Sequence, residues 1–235
     1  MTQGAGHHPP TLVAFDLGGT LVRDRGEVPA AFTAAVREAG LAFDPAELPA
    51  LRGASKYEVL RLLLAGSGQE SRLDSVYKRF QADLMSRLAE SHPLSIPGVR
   101  PALEELHAAG IGLALTSGFD RRVVEMVMKA VEWAELIDVR VCSEDVPQGR
   151  PAPFMIFRAM ERSRVIDVRR VAVVGDTVRD MEAGWNARVA YRVAVLTGAH
   201  GREALGAAPH THIVPSVADL PRIWLEGGSD VEAVG

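Results

Sequence analysis

Two short acidic motifs hold the residues best suited to chemistry in this sequence. Asp16 opens the run DLGGT directly after an apolar stretch, and Asp176 lies in the run GDTVRD after another. Two carboxylates that face one another repel unless a cation lies between them, and Mg²⁺ prefers oxygen ligands of this kind. The sequence therefore predicts that Asp16 and Asp176 bind Mg²⁺ at a site where the two motifs meet.

A hydroxyl group and a guanidinium complete the set of reactive groups. Ser117 follows a third apolar run, and Arg150 lies in the loop QGRP. A carboxylate, a divalent cation, a hydroxyl, an arginine and loop amides together are typical of a phosphoryl-transfer site. In such a site Asp16 is the expected nucleophile and forms an aspartyl-phosphate, while Ser117 and Arg150 hold the phosphoryl oxygens. The loop residues expected to bind the same group are Gly19, Thr20 and Gly118.

Apolar runs of strand length position these motifs. Most runs are continuous rather than alternating, which is typical of strands buried on both faces of a parallel sheet, and helical patterns lie between them. The sequence therefore predicts an α/β fold with a Rossmann-like parallel sheet, whose ligands bind at the carboxyl ends of the strands. The predicted strands are residues 11–17, 111–116, 137–142, 170–176, 191–198 and 212–217, and the predicted helices are 99–109, 119–133, 152–163, 179–187 and 219–226.

One segment breaks the alternation of strands and helices. Residues 25–94 hold only helical patterns, punctuated by glycine and proline residues that stop helices and form turns. We interpret this segment as an all-helical cap domain inserted after the first strand, with residues 1–24 and 95–235 forming the α/β core. The final residues, 227–235, are expected to be a frayed tail.

Composition and net charge argue against some classes of binding partner. The chain has 235 residues, 47% of them hydrophobic, and a net charge of -4, so neither nucleic acid nor an anionic membrane is an expected partner. No apolar stretch is long enough to cross a bilayer, and the first ten residues do not resemble a secretion signal. With Cys142 as the single cysteine no internal disulfide can form, so we expect a cytoplasmic protein.

Taken together, the motifs resemble those of the haloacid dehalogenase superfamily in order and spacing. The four matching motifs are residues 16–20, Ser117, Arg150 and Asp176 with Asp180. The resemblance covers nearly the whole chain, and the helical insertion matches the small cap domain of that superfamily. It implies that the carbonyl of Gly18 joins Asp16 and Asp176 as a Mg²⁺ ligand, with Asp180 in or near the coordination sphere.

Two positions indicate one branch of that superfamily. Most of its phosphatases have a second aspartate two residues after the nucleophile, as general acid, and a lysine in the third motif; this chain has Gly18 and Arg150 there. Both features resemble the phosphonoacetaldehyde hydrolase (phosphonatase) branch, which has a small residue and an arginine at these positions. The segments that resemble this branch are LTSGFDRR, GRPAPFMIF, VVGDTVRDMEAG, LTGAHGREAL and APHTHIVPSVADLP.

A lysine in the cap fits the same branch. Phosphonatases form a Schiff base between the substrate aldehyde and a cap lysine, in a Gly-x-x-Lys pattern at the start of a helix; here Gly53 and Lys56 form that pattern before the run YEVLRLLL. The resemblance therefore implies that Lys56 is catalytic, with an iminium at Lys56 as electron sink. Such a lysine must be neutral to attack. Phosphonatase proper has a histidine one helical turn later, where this chain has Val59.

These features favour a Mg²⁺-dependent hydrolase that cleaves the carbon–phosphorus bond of a small 2-oxoalkylphosphonate such as phosphonoacetaldehyde. The alternatives are a phosphatase acting on a small phosphate monoester, similar to phosphoglycolate phosphatase, and a binding protein that lost activity at Gly18. Haloacid dehalogenation is a third alternative, but it needs no metal, so the retained Asp176 and Asp180 argue against it. The expected partner is the small phosphonate or phosphate, and a homodimer is left open.

Overall fold

A parallel sheet forms the centre of the molecule. The computed structural model describes residues 9–226. Their strands are β1 (Leu12–Phe15), β2 (Gly112–Thr116), β3 (Val139–Val141), β4 (Val171–Gly175), β5 (Tyr191–Val195) and β6 (His212–Val214). They lie in the order β3-β2-β1-β4-β5-β6, and every neighbouring pair is parallel. The predicted α/β fold with a Rossmann-like sheet is confirmed.

The cap consists of three helices between β1 and β2. They are α1 (Glu27–Glu38), α2 (Lys56–Gly66) and α3 (Leu73–Ser91), and residues 25–94, all of which the structure describes, contain no strand. Phe32 stands at their centre, with its ring 5.4 Å from that of Phe43 and 6.2 Å from that of Phe80, both edge to face. The bounds 25–94 for the cap stay a prediction, which these helices support.

Among residues 9–226, six further helices belong to the core. They are α4 (Val99–Ala108), α5 (Arg121–Ala130), α6 (Phe154–Arg162), α7 (Val178–Asn186), α8 (Arg202–Gly206) and α9 (Leu220–Trp224). Alternate residues of β1 serve the two faces of the sheet: Val13 and Phe15 belong to the cluster with α4, α5 and α9, while Leu12 and Ala14 belong to the cluster with α6 and α7. Because both faces are covered, the strands are continuously apolar, as predicted.

The observed strands are shorter than the apolar runs that predicted them. β1 ends at Phe15, yet Leu17 is as buried as the strand because it packs in the same apolar cluster as Phe15. Apolar patterning therefore marks burial, whereas a strand also needs backbone pairing. The short helix α8 was not predicted.

The two segments that join cap and core run side by side. Val22 forms an antiparallel bridge with Ser95, and the Arg23 amide donates to the Leu94 carbonyl at 2.9 Å. Within residues 9–226 no helix is both long and apolar enough to span a bilayer. The predicted tail over 227–235 and most of the ten N-terminal residues considered above lie outside the described residues.

Candidate active site

Three carboxyl groups converge at the carboxyl edge of the sheet. Asp16 follows β1 and Asp176 follows the neighbouring strand β4, while Asp180 lies in the first turn of α7. One oxygen atom from each of the three lies within 4.8 Å of the others. Parallel neighbours end at the same edge of a sheet, so the fold brings together two acidic motifs that are far apart in the sequence.

Both oxygens of Asp180 bind groups of the protein. Oδ2 accepts hydrogen bonds from the Thr177 amide at 3.1 Å and from the Thr177 hydroxyl, which closes a capping box at the start of α7. Oδ1 accepts from the guanidinium of Arg150. We therefore interpret Asp180 as the residue that orients Arg150, and its part in metal binding stays a prediction.

Arg150 is a buried cation between two of the carboxylates. Its Nη2 lies 2.6 Å from Oδ1 of Asp16, and its Nη1 binds Asp180. Burial opposes the charge on Arg150, but the two carboxylates raise the pKa of the guanidinium, so it stays protonated. Its Nε is fully buried and has no hydrogen-bond partner within the described residues.

The carboxyl group of Asp16 titrates close to neutral pH. Burial raises its pKa to about 6 and Asp180 adds to the rise, while Arg150 opposes it. Most of the Asp16 carboxylate is thus ionised at pH 7 or above. An ionised carboxylate in a desolvated site is a suitable nucleophile.

Asp176 has the environment of a metal ligand. Its two partners are neutral: Oδ2 accepts from the Ala199 amide at 2.6 Å and Oδ1 from the Thr20 hydroxyl at 3.4 Å. Burial, followed by the charges of Asp16 and Asp180, raises the pKa of Asp176 well above its usual value. A hard divalent cation would relieve this repulsion, and the oxygen donors of the cluster fit one.

Most of the predicted site residues line one cavity between cap and core. It has an empty volume of about 970 Å³, including space open to solvent. The predicted residues on its wall are Asp16, Gly18, Lys56, Ser117, Gly118, Arg150 and Asp176. Ser117 is buried and its Oγ accepts from the Phe119 amide at 3.2 Å, which leaves the hydroxyl hydrogen free to donate to a ligand.

Gly19 and Thr20, predicted to bind substrate, are not on that wall. The Gly19 amide donates to the Val22 carbonyl at 2.7 Å, and the fully buried Thr20 donates to Asp176. A Cβ at Gly19, whose φ is +83°, would lie 2.3 Å from Oδ2 of Asp176. Inside the protein the Gly19 amide and the Thr20 hydroxyl therefore shape the loop and support Asp176, and phosphoryl binding by these two residues stays a prediction.

Lys56 begins α2 and faces the cavity from the cap. Its Nζ donates to the carbonyls of Leu51 at 2.9 Å and Ala54 at 3.1 Å. Burial lowers the pKa of Lys56 from 10.5 to about 8, and the positive charges of Arg179 and Arg52 add to this effect. A substantial fraction of the amine is therefore neutral at mildly alkaline pH.

The cap loop that carries Lys56 is seated on the core. A Cβ at Gly53, whose φ is +72°, would lie 2.7 Å from the Thr177 hydroxyl, and a Cβ at Gly149 would lie 3.6 Å from Cβ of Ser55. Neither this contact nor the two arginines near Lys56 can be predicted from the sequence. Only the glycine three residues before the lysine points to the contact.

Comparison with known proteins identifies the family. The sequence profile of the haloacid dehalogenase-like hydrolase family matches residues 13–194, a span that contains all four motifs. The chain belongs to this family. Hydrolases of the family generally use a divalent metal ion, and the carboxyl cluster offers ligands for one.

Individual relatives agree with the predicted branch of the haloacid dehalogenase-like hydrolases. Phosphonoacetaldehyde hydrolase from Bacteroides fragilis is 30% identical over 236 aligned positions, which cover 92% of this chain and 89% of the relative. A phosphonoacetaldehyde hydrolase-like protein from Oleispira antarctica superposes with a TM-score of 0.77 at 22% identity, covering 96% of each chain. A hydrolase from Pseudomonas syringae gives 0.80 at 21% identity, covering 93% of this chain and all of that one. The predicted membership of the phosphonatase-like branch is confirmed.

Proposed function

We propose that this hydrolase cleaves the carbon–phosphorus bond of a small 2-oxoalkylphosphonate through a Schiff base at Lys56 and an aspartyl-phosphate at Asp16. One observation carries the proposal: an amine with a lowered pKa and an ionisable carboxyl group line the same cavity. Hydrolysis of a phosphate ester needs no amine. Cleavage of a carbon–phosphorus bond needs an electron sink, which an iminium provides.

Lys56 acts first. Its neutral amine attacks the carbonyl carbon of the substrate, and uptake of one proton from solvent with loss of water leaves an iminium ion on Nζ. The buried position of Lys56 and the nearby Arg52 and Arg179 favour the neutral amine. The carbonyls of Leu51 and Ala54 hold Nζ in place before the reaction.

Asp16 then attacks phosphorus. An oxygen–phosphorus bond forms as the carbon–phosphorus bond breaks, and the released electron pair enters the iminium to give an enamine. Protonation of the enamine carbon and hydrolysis of the resulting imine release the carbonyl product. Water hydrolyses the aspartyl-phosphate to free phosphate. Gly18 is consistent with this series of steps because the leaving group is carbon, so no general acid is needed to protonate a leaving oxygen.

Charged and polar groups bind the phosphoryl oxygens. The Ser117 hydroxyl is a donor at the cavity, and the guanidinium of Arg150 lines the cavity beside Asp16. Asp16, Asp176 and the carbonyl of Gly18 would hold Mg²⁺, with Asp180 in or near its coordination sphere. When bound, the ion neutralises charge between the carboxylate and the phosphoryl group.

Borohydride trapping tests the Schiff base directly. The chain has only three lysines, and Lys78 and Lys129 are exposed, so they serve as internal controls. With phosphonoacetaldehyde and borohydride, peptide mapping is expected to place the reduced adduct on Lys56. Lys56→Arg keeps the charge but forms no imine, so it abolishes carbon–phosphorus cleavage, whereas Lys78→Arg retains full activity.

Two results would contradict the proposal. One is an adduct confined to the exposed lysines, and the other is full activity of Lys56→Arg on a carbonyl phosphonate. Turnover of small phosphate monoesters by both wild type and Lys56→Arg would then favour the phosphatase alternative, since Asp16, Ser117 and Arg150 serve either reaction.

A further inference from the structure

The cavity is lined by more than the groups that bind phosphorus. Six apolar side chains, called the apolar wall below, also line it: Val22, Val28, Leu48, Leu88, Phe119 and Val127. They come from the cap–core junction, from α1, α3 and the loop before α2, and from α5 and the loop before it. Both cap and core therefore contribute apolar surface to the cavity that holds Asp16 and Lys56.

The two acidic residues that line the cavity from the cap–core junction and α1 already have partners within the protein. Asp24 forms an ion pair with Arg52, and Glu27 accepts a hydrogen bond from the Arg25 amide at 2.9 Å. Groups that are already paired offer little to a polar substrate group. The apolar wall itself therefore suits an apolar group better than a second charge.

Gly18 leaves space beside Phe119, a member of the apolar wall. A Cβ at this position would meet only the Phe119 ring, at 4.0 Å. The usual aspartate would project a carboxylate into this space. With glycine, a substrate held by Asp16 and Lys56 can extend towards the apolar wall.

We infer that the substrate carries an apolar substituent, an alkyl or aryl group on its carbonyl or adjacent carbon, that packs against the apolar wall. The inference rests on the proposed function, because it takes the phosphorus end of the substrate to lie at Asp16. Apart from its phosphonomethyl group, phosphonoacetaldehyde carries only a hydrogen on its carbonyl carbon, so it leaves the apolar wall uncovered. The preferred substrate class is thus a longer 2-oxoalkylphosphonate, a ketone in the simplest case.

Unreactive n-alkylphosphonates test the substituent separately from the chemistry. They have no carbonyl group, so they can neither form an imine nor be cleaved. Calorimetry with methyl-, propyl- and hexylphosphonate in excess Mg²⁺ is expected to show about fourfold tighter binding for each methylene that reaches the wall. With three of its five additional methylenes at the wall, hexylphosphonate then binds about 60-fold tighter than methylphosphonate.

Variants that fill the cavity locate the effect. Val28→Phe and Leu48→Phe are expected to reduce the ratio of hexyl to methyl affinity at least tenfold, because a ring occupies the space of the chain. Leu63→Phe is the matched control: Leu63 is a half-buried cap residue that does not line the cavity, so the ratio stays at the wild-type value. Methylphosphonate binding reports that each variant retains a folded site.

The outcomes separate this inference from the proposed function. Equal affinity for methyl- and hexylphosphonate, or an unchanged ratio in both filling variants, overturns the apolar substituent and leaves the phosphoryl site intact. Failure of methylphosphonate and inorganic phosphate to bind overturns the phosphoryl site itself, and the inference with it.

Discussion

At the scale of single residues, Asp16 carries the covalent step. Asp16→Asn keeps the shape of the side chain but removes the attacking charge and the ion pair with Arg150. We expect kcat on a carbonyl phosphonate to fall by several orders of magnitude. Steady-state turnover is the measurement, with thermal unfolding as the check on folding. Near-normal turnover of a folded Asp16→Asn variant would exclude an aspartyl-phosphate.

Lys56 makes imine formation depend on pH. The amine reacts only when neutral, and its pKa is lowered to about 8. The rate of borohydride trapping is therefore expected to rise with pH through about 8 and to level off above it. For a lysine with the usual pKa of 10.5, the trapping rate would continue to rise up to that pH. Arg179→Gln removes a nearby positive charge, so it should move the midpoint upwards. A midpoint that stays near 10 in the wild type would contradict the desolvated amine.

Gly18 offers a test of leaving-group chemistry. The structure has room for a side chain there, since an added Cβ meets only Phe119. Gly18→Asp supplies a proton donor for an oxygen leaving group, an effect of about 10²- to 10⁴-fold where geometry allows. We expect the ratio of kcat/KM for phosphate esters to that for phosphonates to rise. Faster phosphonate cleavage with no gain on esters would argue against this account of Gly18.

At the scale of elements, the loop before α2 sets the position of Lys56. Gly53→Ala brings a Cβ to 2.7 Å from the Thr177 hydroxyl at a φ of +72°, so the loop must move away from the core. We expect slower trapping at Lys56 and lower kcat. Gly40→Ala is the matched control, because Gly40 has a φ of +69° with nothing within 4 Å of the added Cβ. It carries the same backbone strain without the contact, and an equal loss of trapping in both variants would rule out the contact as the cause.

At the scale of the whole molecule, the carboxyl cluster links metal binding to stability. The pKa of Asp176 is raised in the folded protein, so its ionised form opposes folding at neutral pH. Asp176→Asn is therefore expected to raise Tm in the presence of a chelator. Mg²⁺ at 100 times its Kd should stabilise the wild type by about 2.7 kcal/mol, roughly 5–10 °C for a chain of this size.

The same variant distinguishes specific binding from a general salt effect. Asp176→Asn loses a proposed ligand, so its Tm should respond to Mg²⁺ far less than that of the wild type. Differential scanning fluorimetry with Mg²⁺ and with chelator gives all four values. An equal response of both proteins to Mg²⁺ would place the metal elsewhere.

The sequence alone determined the sheet, the helical cap and the order of the motifs. These features depend on local patterns: continuous apolar runs predict buried parallel strands, and a long segment with only helical patterns predicts the insertion. The position of Asp16 and Asp176 at strand ends follows from the same patterns. The prediction that Lys56 is catalytic depended on the resemblance to the Gly-x-x-Lys pattern, because a single lysine in a sequence does not by itself indicate a catalytic role.

Only the tertiary structure decided what each polar group contacts. Thr20 and Asp176 lie far apart in the sequence, so nothing local shows that the Thr20 hydroxyl binds Asp176 rather than a substrate. The lowered pKa of Lys56 likewise needs burial and the charge of Arg179, which comes from a distant helix. The apolar wall is assembled from both sides of the cap–core junction. Desolvation, charge and cavity shape are sums over neighbours in space, and a linear pattern does not contain them.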